Sequence, residues 1–361
     1  MKVLTKSELF NLHIAYPSIK VYQDIKSRWD NIAKPLDSMG HFENIIARIG
    51  AIHENIRPHF EVTSLIIMCA DNGVVAEGIS QSNQDVTSIV AAEMGRKNSS
   101  VCLMAKKAGI KVIPIDIGIN GETPAGVADY KVRPGTANFH KEPAMTEEEM
   151  LRAITIGMEL VKERKEAGDE LIFTGEMGIG NTTTSSACVA AILMIDAERV
   201  TGKGAGLGSK AMHRKVNIIN ESIAKYKLSD IEDDRVRAFE TLRCVGGLDI
   251  AGLVGVCIGG AMYKMPIVLD GLITMAAALV ADTILPGVKE YVIASHQGKE
   301  PAVSLIKSTL NLRPVIHANM GLGEGTGAIM LLPLLQMVNA LYESGEAFEE
   351  MGVTRYERYD E

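Results

Sequence analysis

The feature that most constrains this chain is a series of short, unbroken apolar runs, each stopping at a glycine or a polar turn. Residues 65–69 run into Ala70-Asp71-Asn72-Gly73, 112–117 into Gly118, and 171–173 into Thr174-Gly175-Glu176. Residues 267–269 run into Asp270-Gly271, 291–293 into Ser295-His296, and 315–316 into a glycine cluster. Apolar residues fill these runs continuously instead of alternating with polar ones, as strands buried on both faces require. Most are flanked by segments of helical period. Strands that alternate with helices predict an α/β fold, a doubly wound and mainly parallel sheet. In such sheets ligands bind beyond the carboxyl ends of the strands, so the turns named above are the first places to look for function.

The helices punctuate themselves. Thr146 and Glu149 form a capping box that predicts a helix to about Glu166, with Gly168 as its stop. Asp85 and Ser99 read as caps of two helices, the second ending near Gly109, and Ser229 as the cap of one ending before Gly246. Residues 328–341 form a long apolar-faced helix, and 250–263 a buried one too short to cross a bilayer. The first 60 residues hold no convincing strand, only helices at 19–33 and 42–56 broken by Pro35. Residues 119–145 are rich in loops. The expected division is a small helical domain from 1–60 and 329–361 and a large α/β nucleotide-binding domain from 61–328.

A net charge of -8 argues against a nucleic-acid partner. The five cysteines, Cys69, Cys102, Cys188, Cys244 and Cys257, include no C-x-x-C pair and read as reduced thiols in a cytoplasmic protein. Residues 1–10 contain two lysines and a glutamate and no apolar core of a signal peptide. Neither a membrane partner nor a metal site is expected.

Four glycine-rich segments carry the candidate chemistry. Gly175-Glu176-Met177-Gly178-Ile179-Gly180-Asn181 lets backbone N–H groups converge, with Asn181 and the following threonines able to cap the next helix. A helix N-terminus offers free N–H groups and partial positive charge to a phosphate. An ordinary tight turn explains the same spacing equally well. It is not G-x-G-x-x-G, and no phosphate-binding G-x-x-x-x-G-K-[ST] occurs. Gly202, Gly204, Gly206 and Gly208 precede a helix bearing Lys215, which can present a cation to the same phosphate; a flexible loop with a solvated basic face is the competing reading. In Gly321-Leu322-Gly323-Glu324-Gly325-Thr326-Gly327 one carboxylate stands among glycines. Partial desolvation would make Glu324 a better base, while a helix-capping role explains it as well. The segment 70–80, with Asn72 and Ser80, can line an aromatic pocket together with Met68 and Met177, or be a plain surface loop. Ser295-His296 lacks the G-x-S-x-G elbow of a serine hydrolase.

Taken together, GEMGIGNTTTSSA at 175–187, LRCVGGLDIAGLVG at 242–255, IVLDGLITMAAALVA at 267–281, SHQGKE at 295–300 and GLGEGTGA at 321–328 resemble the nicotinate-nucleotide:dimethylbenzimidazole phosphoribosyltransferase family. AKPLDSMGHFENI at 33–45 resembles that family's N-terminal lysine-proline segment. The resemblance runs in order from about residue 25 to 340. It implies a Rossmann-like sheet domain with a smaller helical domain made from both chain ends. It also implies transfer of ribose 5-phosphate from nicotinate mononucleotide to a small aromatic acceptor for cobamide biosynthesis, without cofactor or metal. Glu324 would be the general base. Gly175, Glu176, Met177, Gly178, Ile179, Gly180, Asn181, Gly202, Gly204, Lys215, Gly325 and Thr326 would belong to the nucleotide site. Asn72, Ser80, Ser88 and Leu322 would bound the acceptor. The partner would be a second copy or a homologous subunit. The chain departs from the common pattern at Asn72, where histidine is frequent, at Ser88 and Ile89, near the usual position of a glutamine, and at Gly321, where arginine is frequent. These departures open acceptor choice toward phenol or p-cresol. A nucleotide-binding subunit of low activity is the alternative. A nicotinamide-dependent oxidoreductase would need the glycine fingerprint missing after the first strand.

Overall fold

Six strands form one sheet: β1 (Thr63–Ala70), β2 (Lys111–Gly118), β3 (Ala128–Asp129), β4 (Leu171–Met177), β5 (Ile267–Leu269) and β6 (Val292–Ala294). The structure, a computed structural model, describes residues 2–204 and 206–358. Met1, Ala205 in the second glycine segment, and residues 359–361 of the expected small domain therefore lie outside the described residues. Every pairing is parallel, and the order is β3-β2-β1-β4-β5-β6. The winding reverses between β1 and β4. That reversal opens a crevice at the carboxyl ends of those two strands, the place where such sheets bind ligands.

All eight residues of β1 are buried, which accounts for the continuous apolar run. Their side chains feed two separate apolar layers. Ile66, Met68 and Ala70 join one layer with helices Glu147–Glu166, Leu248–Met262 and Leu272–Ile284. Leu65, Ile67 and Cys69 join the other with helices Ile19–Asn31, His41–His53, Ser100–Ala108 and Leu331–Ser344. The chain ends meet in this second layer. Ile32 bridges Ala347, Arg28 donates to the Tyr342 carbonyl at 3.1 Å, and the Trp29 and Tyr342 rings lie 5.0 Å apart.

The Thr146 capping box and the stop at Gly168, with φ +90°, stand as expected. So does the Ser99 cap with Gly109 as the other terminus. Several expectations need correction. Asp85 is the first residue of its helix and not its cap; its carboxylate accepts from Asn83 and still favours the positive end of the helix. Ser229 lies in the short turn Leu228–Asp230, and the helix ending before Gly246 is capped by Asp233, which accepts from the Val236 N–H at 3.0 Å. The long helix at 328–341 is two helices, Thr326–Ile329 and Leu331–Ser344, broken at Met330. Pro333, in the first turn of the second piece, has no N–H to carry the ladder across the break. Residues 315–316 form no strand: Ile316 makes a single bridge to His296, and Pro314, just before the pair, has no N–H to extend it. The edge strand β3 lies inside the segment read as loop; two residues are too few to leave a periodic signal. No described helix is long and apolar enough to cross a membrane.

Candidate active site

At the carboxyl end of β4 the chain passes beneath the glycine loop that carries Glu324. A Cβ on Gly175 would lie 2.4 Å from the Glu324 carbonyl oxygen, so only glycine lets the two segments cross there. The next side chain, Glu176, is 8 % exposed. It accepts a short hydrogen bond from the Asn181 amide and another from the Glu324 N–H. Burial pushes its pKa up to about 8; Asp270 and Asp249 push the same way, and the two hydrogen bonds oppose them. Asn181 was expected to cap the helix Asn181–Leu193, but Gly180 at φ +95° is the N-cap and Asn181 turns back to hold Glu176. The open end of that helix still faces the crevice.

Lys215 reaches the same place from the helix Ser209–Lys225. Its Nζ donates to Thr182 Oγ1 at 2.9 Å and to the Gly202 carbonyl at 3.4 Å. Burial lowers its pKa to about 8, with Glu300 pulling it back up. A phosphate arriving there would find a cation with few competing partners.

Glu324 takes φ +61°, a left-handed conformation that non-glycine residues rarely adopt. Its Oε2 accepts from the Val101 N–H at 3.3 Å, at the open end of helix Ser100–Ala108, and the Ser99 hydroxyl also touches it. Burial raises its pKa above the ordinary carboxylate range, and those two donors oppose the rise. Glu324 thus gives an acceptor to the open end of that helix and also lines the cleft.

Asp270 at the end of β5 anchors this loop. Its two oxygens accept from the Gly325 N–H at 3.3 Å and the Ala328 N–H at 3.0 Å. His296 stands 4.0 Å away. The Ser295 hydroxyl donates to the Leu269 carbonyl at 2.6 Å, so at 3.0 Å it accepts from His296 Nδ1–H. The sequence marked Asp270 and His296 only as turn residues after strands; their roles depend on a loop some 30–60 residues away.

Glu176, Met177, Gly178, Asn181, Leu322 and Glu324 surround a cleft of about 320 Å³. Ser80, Gly180 and Lys215 line an adjoining recess of about 90 Å³, and Ile179 and Gly204 border both. Thr182 and Asp270, noted in the sequence only at a helix start and a turn, also line the cleft, as do Val90 and Thr274, which the sequence did not single out. Gly175, Gly202, Gly325 and Thr326 stand behind it as scaffold; Thr326 Oγ1 donates to the Gly323 carbonyl at 2.9 Å. Two residues assigned to the acceptor lie elsewhere. Asn72 is fully buried behind the turn 178–180, with Nδ2 3.4 Å from the Ile179 carbonyl. Ser88 donates to Asp85 O of its own helix at 2.9 Å. Among the described residues no group of histidine, cysteine and acid side chains is arranged to hold a metal ion.

Comparison with known proteins agrees with this architecture. Residues 14–353 match the family described as Phosphoribosyltransferase. The nicotinate-nucleotide–dimethylbenzimidazole phosphoribosyltransferase of Clostridium acetobutylicum is 39% identical over 338 residues, 93% of this chain and 95% of that protein. The enzyme of the same name from Acetivibrio thermocellus is 38% identical over 334 residues, 92% of this chain and 94% of that protein. The crystal structure of CobT from Thermus thermophilus superposes with a TM-score of 0.87 at 34% identity, covering 93% of this chain and 100% of that one. This chain belongs to the nicotinate-nucleotide–dimethylbenzimidazole phosphoribosyltransferase family of enzymes.

Proposed function

We propose that this chain transfers the 5-phosphoribosyl group of nicotinate mononucleotide to a small aromatic base, releasing nicotinate and an α-riboside 5′-phosphate for cobamide synthesis. The observation that carries the reading is the placement of Glu324 and Glu176 on one cleft at the carboxyl ends of β4 and β5, with Lys215 in the recess that adjoins it. The phosphate would sit in the recess with Lys215 and the open end of helix Asn181–Leu193. The ribose would lie over Gly178 beside Glu176. The acceptor would stand against Val90, Met177 and Leu322, with its acidic proton toward Glu324.

The chemistry needs one base. Nicotinate bonded to ribose is a pyridinium and leaves as a neutral ring nitrogen, so no acid is required on that side. The acceptor nitrogen or oxygen attacks the anomeric carbon from the opposite face, the C–N bond to nicotinate breaks, and Glu324 takes the acceptor's proton. Attack from that face turns a β linkage into an α linkage. Positioning in the cleft supplies the remaining acceleration.

The apolar side chains Val90, Met177 and Leu322 favour an aromatic acceptor, dimethylbenzimidazole or a phenol such as p-cresol. The same proposal has the chain acting in the cytoplasm as a homodimer or beside a homologous subunit. Exposed Leu103, Met330 and Met337 supply apolar surface for such a contact. Residues 1–60 and 329–361 would act as the small domain against 61–328. Incubating the purified chain with nicotinate mononucleotide and each acceptor in turn tests the reading. Release of nicotinate together with an α-riboside phosphate is expected; no nicotinate release with any acceptor overturns it.

A further inference from the structure

His296 is a buried side chain on the wall of the cleft that the proposed reaction leaves without a task. It stands just past the end of β6, and 5% of its side chain is exposed. One edge of its ring is fixed. The Ser295 hydroxyl gives its proton to the Leu269 carbonyl at 2.6 Å, so its oxygen accepts from His296 Nδ1–H at 3.0 Å. Asp270 Oδ1 is 4.0 Å from Nδ1, beyond hydrogen-bond reach, and the two Asp270 oxygens already accept from the Gly325 and Ala328 N–H groups. Gly327 closes that edge: a Cβ there would lie 2.1 Å from Nδ1. On the opposite edge, Nε2 has no hydrogen-bond partner among the described residues. It faces Gly271, which also lines the cleft; even a Cβ on that glycine would stand 3.8 Å from Nε2, so this edge is open. With the proton on Nδ1, the lone pair of the neutral ring sits on Nε2. A lone pair accepts and cannot donate, so it asks for a hydroxyl or an N–H.

We propose that His296 Nε2 accepts a hydrogen bond from a ribose hydroxyl of the bound nucleotide and so favours a ribonucleotide over its deoxy forms. The inference rests on the proposed phosphoribosyl transfer and adds to it a residue that recognises the sugar. The chemistry selects the group. Phosphate and the nicotinate carboxylate bring acceptors and no donor. The acidic proton of the aromatic acceptor is directed at Glu324 in the proposed arrangement. The ring hydroxyls of the ribose are the donors that remain. The location agrees. Asp270 neighbours both His296 and Glu176, the side chain beside which the ribose is proposed to lie. Glu300, farther along the same loop and just ahead of helix Pro301–Leu310, also lines the cleft and pulls the Lys215 pKa up. His296 therefore stands between the phosphate recess and the loop that carries Glu324, where the sugar would lie. Ser295 holds the ring against rotation, so the lone pair is aimed before the nucleotide arrives.

Two substitutions separate the two edges of the ring. In His296→Asn the amide nitrogen can take the place of Nδ1 and donate to Ser295, while nothing reaches the place of Nε2. In His296→Gln the amide oxygen can reach the place of Nε2. Calorimetry measures the binding of nicotinate mononucleotide and of its 2′-deoxy and 3′-deoxy analogues to each chain. The parent should bind one of the two analogues about three- to tenfold more weakly than the full nucleotide, the loss of one neutral hydrogen bond. His296→Asn should bind the full nucleotide with that same loss and should no longer distinguish it from that analogue. His296→Gln should recover part of the preference. In the parent itself, nitrogen NMR should show a neutral ring with the proton on Nδ1. The full nucleotide should shift the Nε2 resonance, and the weaker analogue should leave it in place. These parental resonances decide the matter alone if a variant fails to fold. A proton on Nε2 in the free protein, equal binding of all three nucleotides by the parent, or undiminished discrimination in His296→Asn overturns the proposal and leaves phosphoribosyl transfer standing. No binding of nicotinate mononucleotide by the parent, with no release of nicotinate, brings down the functional reading and this inference with it.

Discussion

Glu43 and Glu176 are both carboxylates withdrawn from water, and they are kept there in opposite ways. Glu43, in helix His41–His53 near the chain ends, is 0 % exposed and surrounded by donors: Lys34 at 2.6 Å, Lys26 at 3.1 Å and the Met39 N–H at 3.2 Å. Lys34 in turn lies 5.3 Å from the Trp29 ring centre. Glu176, at the end of β4, has two hydrogen bonds, two acidic neighbours and, among the described residues, no cation to offset them, and its pKa rises to about 8. The first arrangement ties helix His41–His53 to helix Ile19–Asn31 and to the segment 34–39 between them. The second leaves an acid unneutralised beside a cleft, a state that ordinary packing avoids and that active sites keep.

If that contrast is sound, damage to the cleft should cost activity and damage at the chain ends should cost stability. The largest effect is expected at Glu324. Glu324→Gln keeps the shape of the side chain and removes the base. Turnover should fall by about 10²–10⁴-fold while nucleotide binding and melting temperature stay near the parent's. The loss should be greater with a phenol, a weak nucleophile until its proton has gone, than with a benzimidazole, whose second ring nitrogen has a free lone pair. Single-turnover rates with each acceptor read both. Near-parental rates would break the comparison on the cleft side.

Glu43→Gln is the counterpart. Removing one partner of a buried ionic cluster leaves charges behind, here Lys34 and Lys26, whose side chains are 10% and 21% exposed. Because both reach toward water, the loss in unfolding free energy should be near the lower end of the usual range, about 3 kcal/mol. Denaturant titration measures it. Turnover per folded molecule should not change.

A smaller effect is expected at Lys215, where the two themes overlap because a buried cation sits in the cleft. Lys215→Met keeps an apolar stem and removes the charge. Loss of one charge-assisted bond to phosphate, about 1.5–3 kcal/mol, should weaken nicotinate mononucleotide binding by about 10–100-fold. The parent's lysine loses its charge as pH rises through about 8, so its affinity should fall above that pH. The corresponding part of the fall should be missing in the variant. Equal affinity at pH 7 would remove Lys215 from the phosphate site.

The two halves of this contrast were not equally legible in the sequence. The apolar runs announced the strands because β1 is buried on both sides, and the glycine segments at 175–181 and 321–327 do meet at one cleft. Local signals also placed the caps at Thr146 and Ser99. They failed at Ser229, where Asp233 four residues on wins the cap. Contacts distant in sequence left no trace. Asp270 holds N–H groups 55 and 58 residues away, and Asp249 and Asn72 both crowd Gly178 and Gly247 across the interior. Asn72 was placed in the acceptor pocket by its motif position, yet it lies behind the wall of the cleft. Motifs give the neighbourhood of a residue; which way its side chain turns is decided by tertiary packing.

Ser99 offers the finest test, because one hydroxyl serves both stability and the base. Its oxygen accepts from the Cys102 N–H at 3.4 Å and caps helix Ser100–Ala108, while its hydroxyl touches the Glu324 carboxylate and holds that pKa down against burial. Ser99→Ala should cost about 1 kcal/mol of stability through the lost cap. The same change removes a hydrogen bond to the charged form of Glu324, so its pKa should rise further. Glu324 must be ionised to accept a proton, and activity therefore appears as pH climbs through that pKa. The acid limb of kcat should move to higher pH in Ser99→Ala, by a fraction of a unit, with the plateau rate nearly unchanged. Profiles of kcat between pH 4 and 8, with the unfolding curve alongside, separate the two roles. A loss of stability with an unmoved acid limb would make Ser99 a helix cap and nothing more. An acid limb that moves to lower pH would mean that the limb belongs to some group other than Glu324.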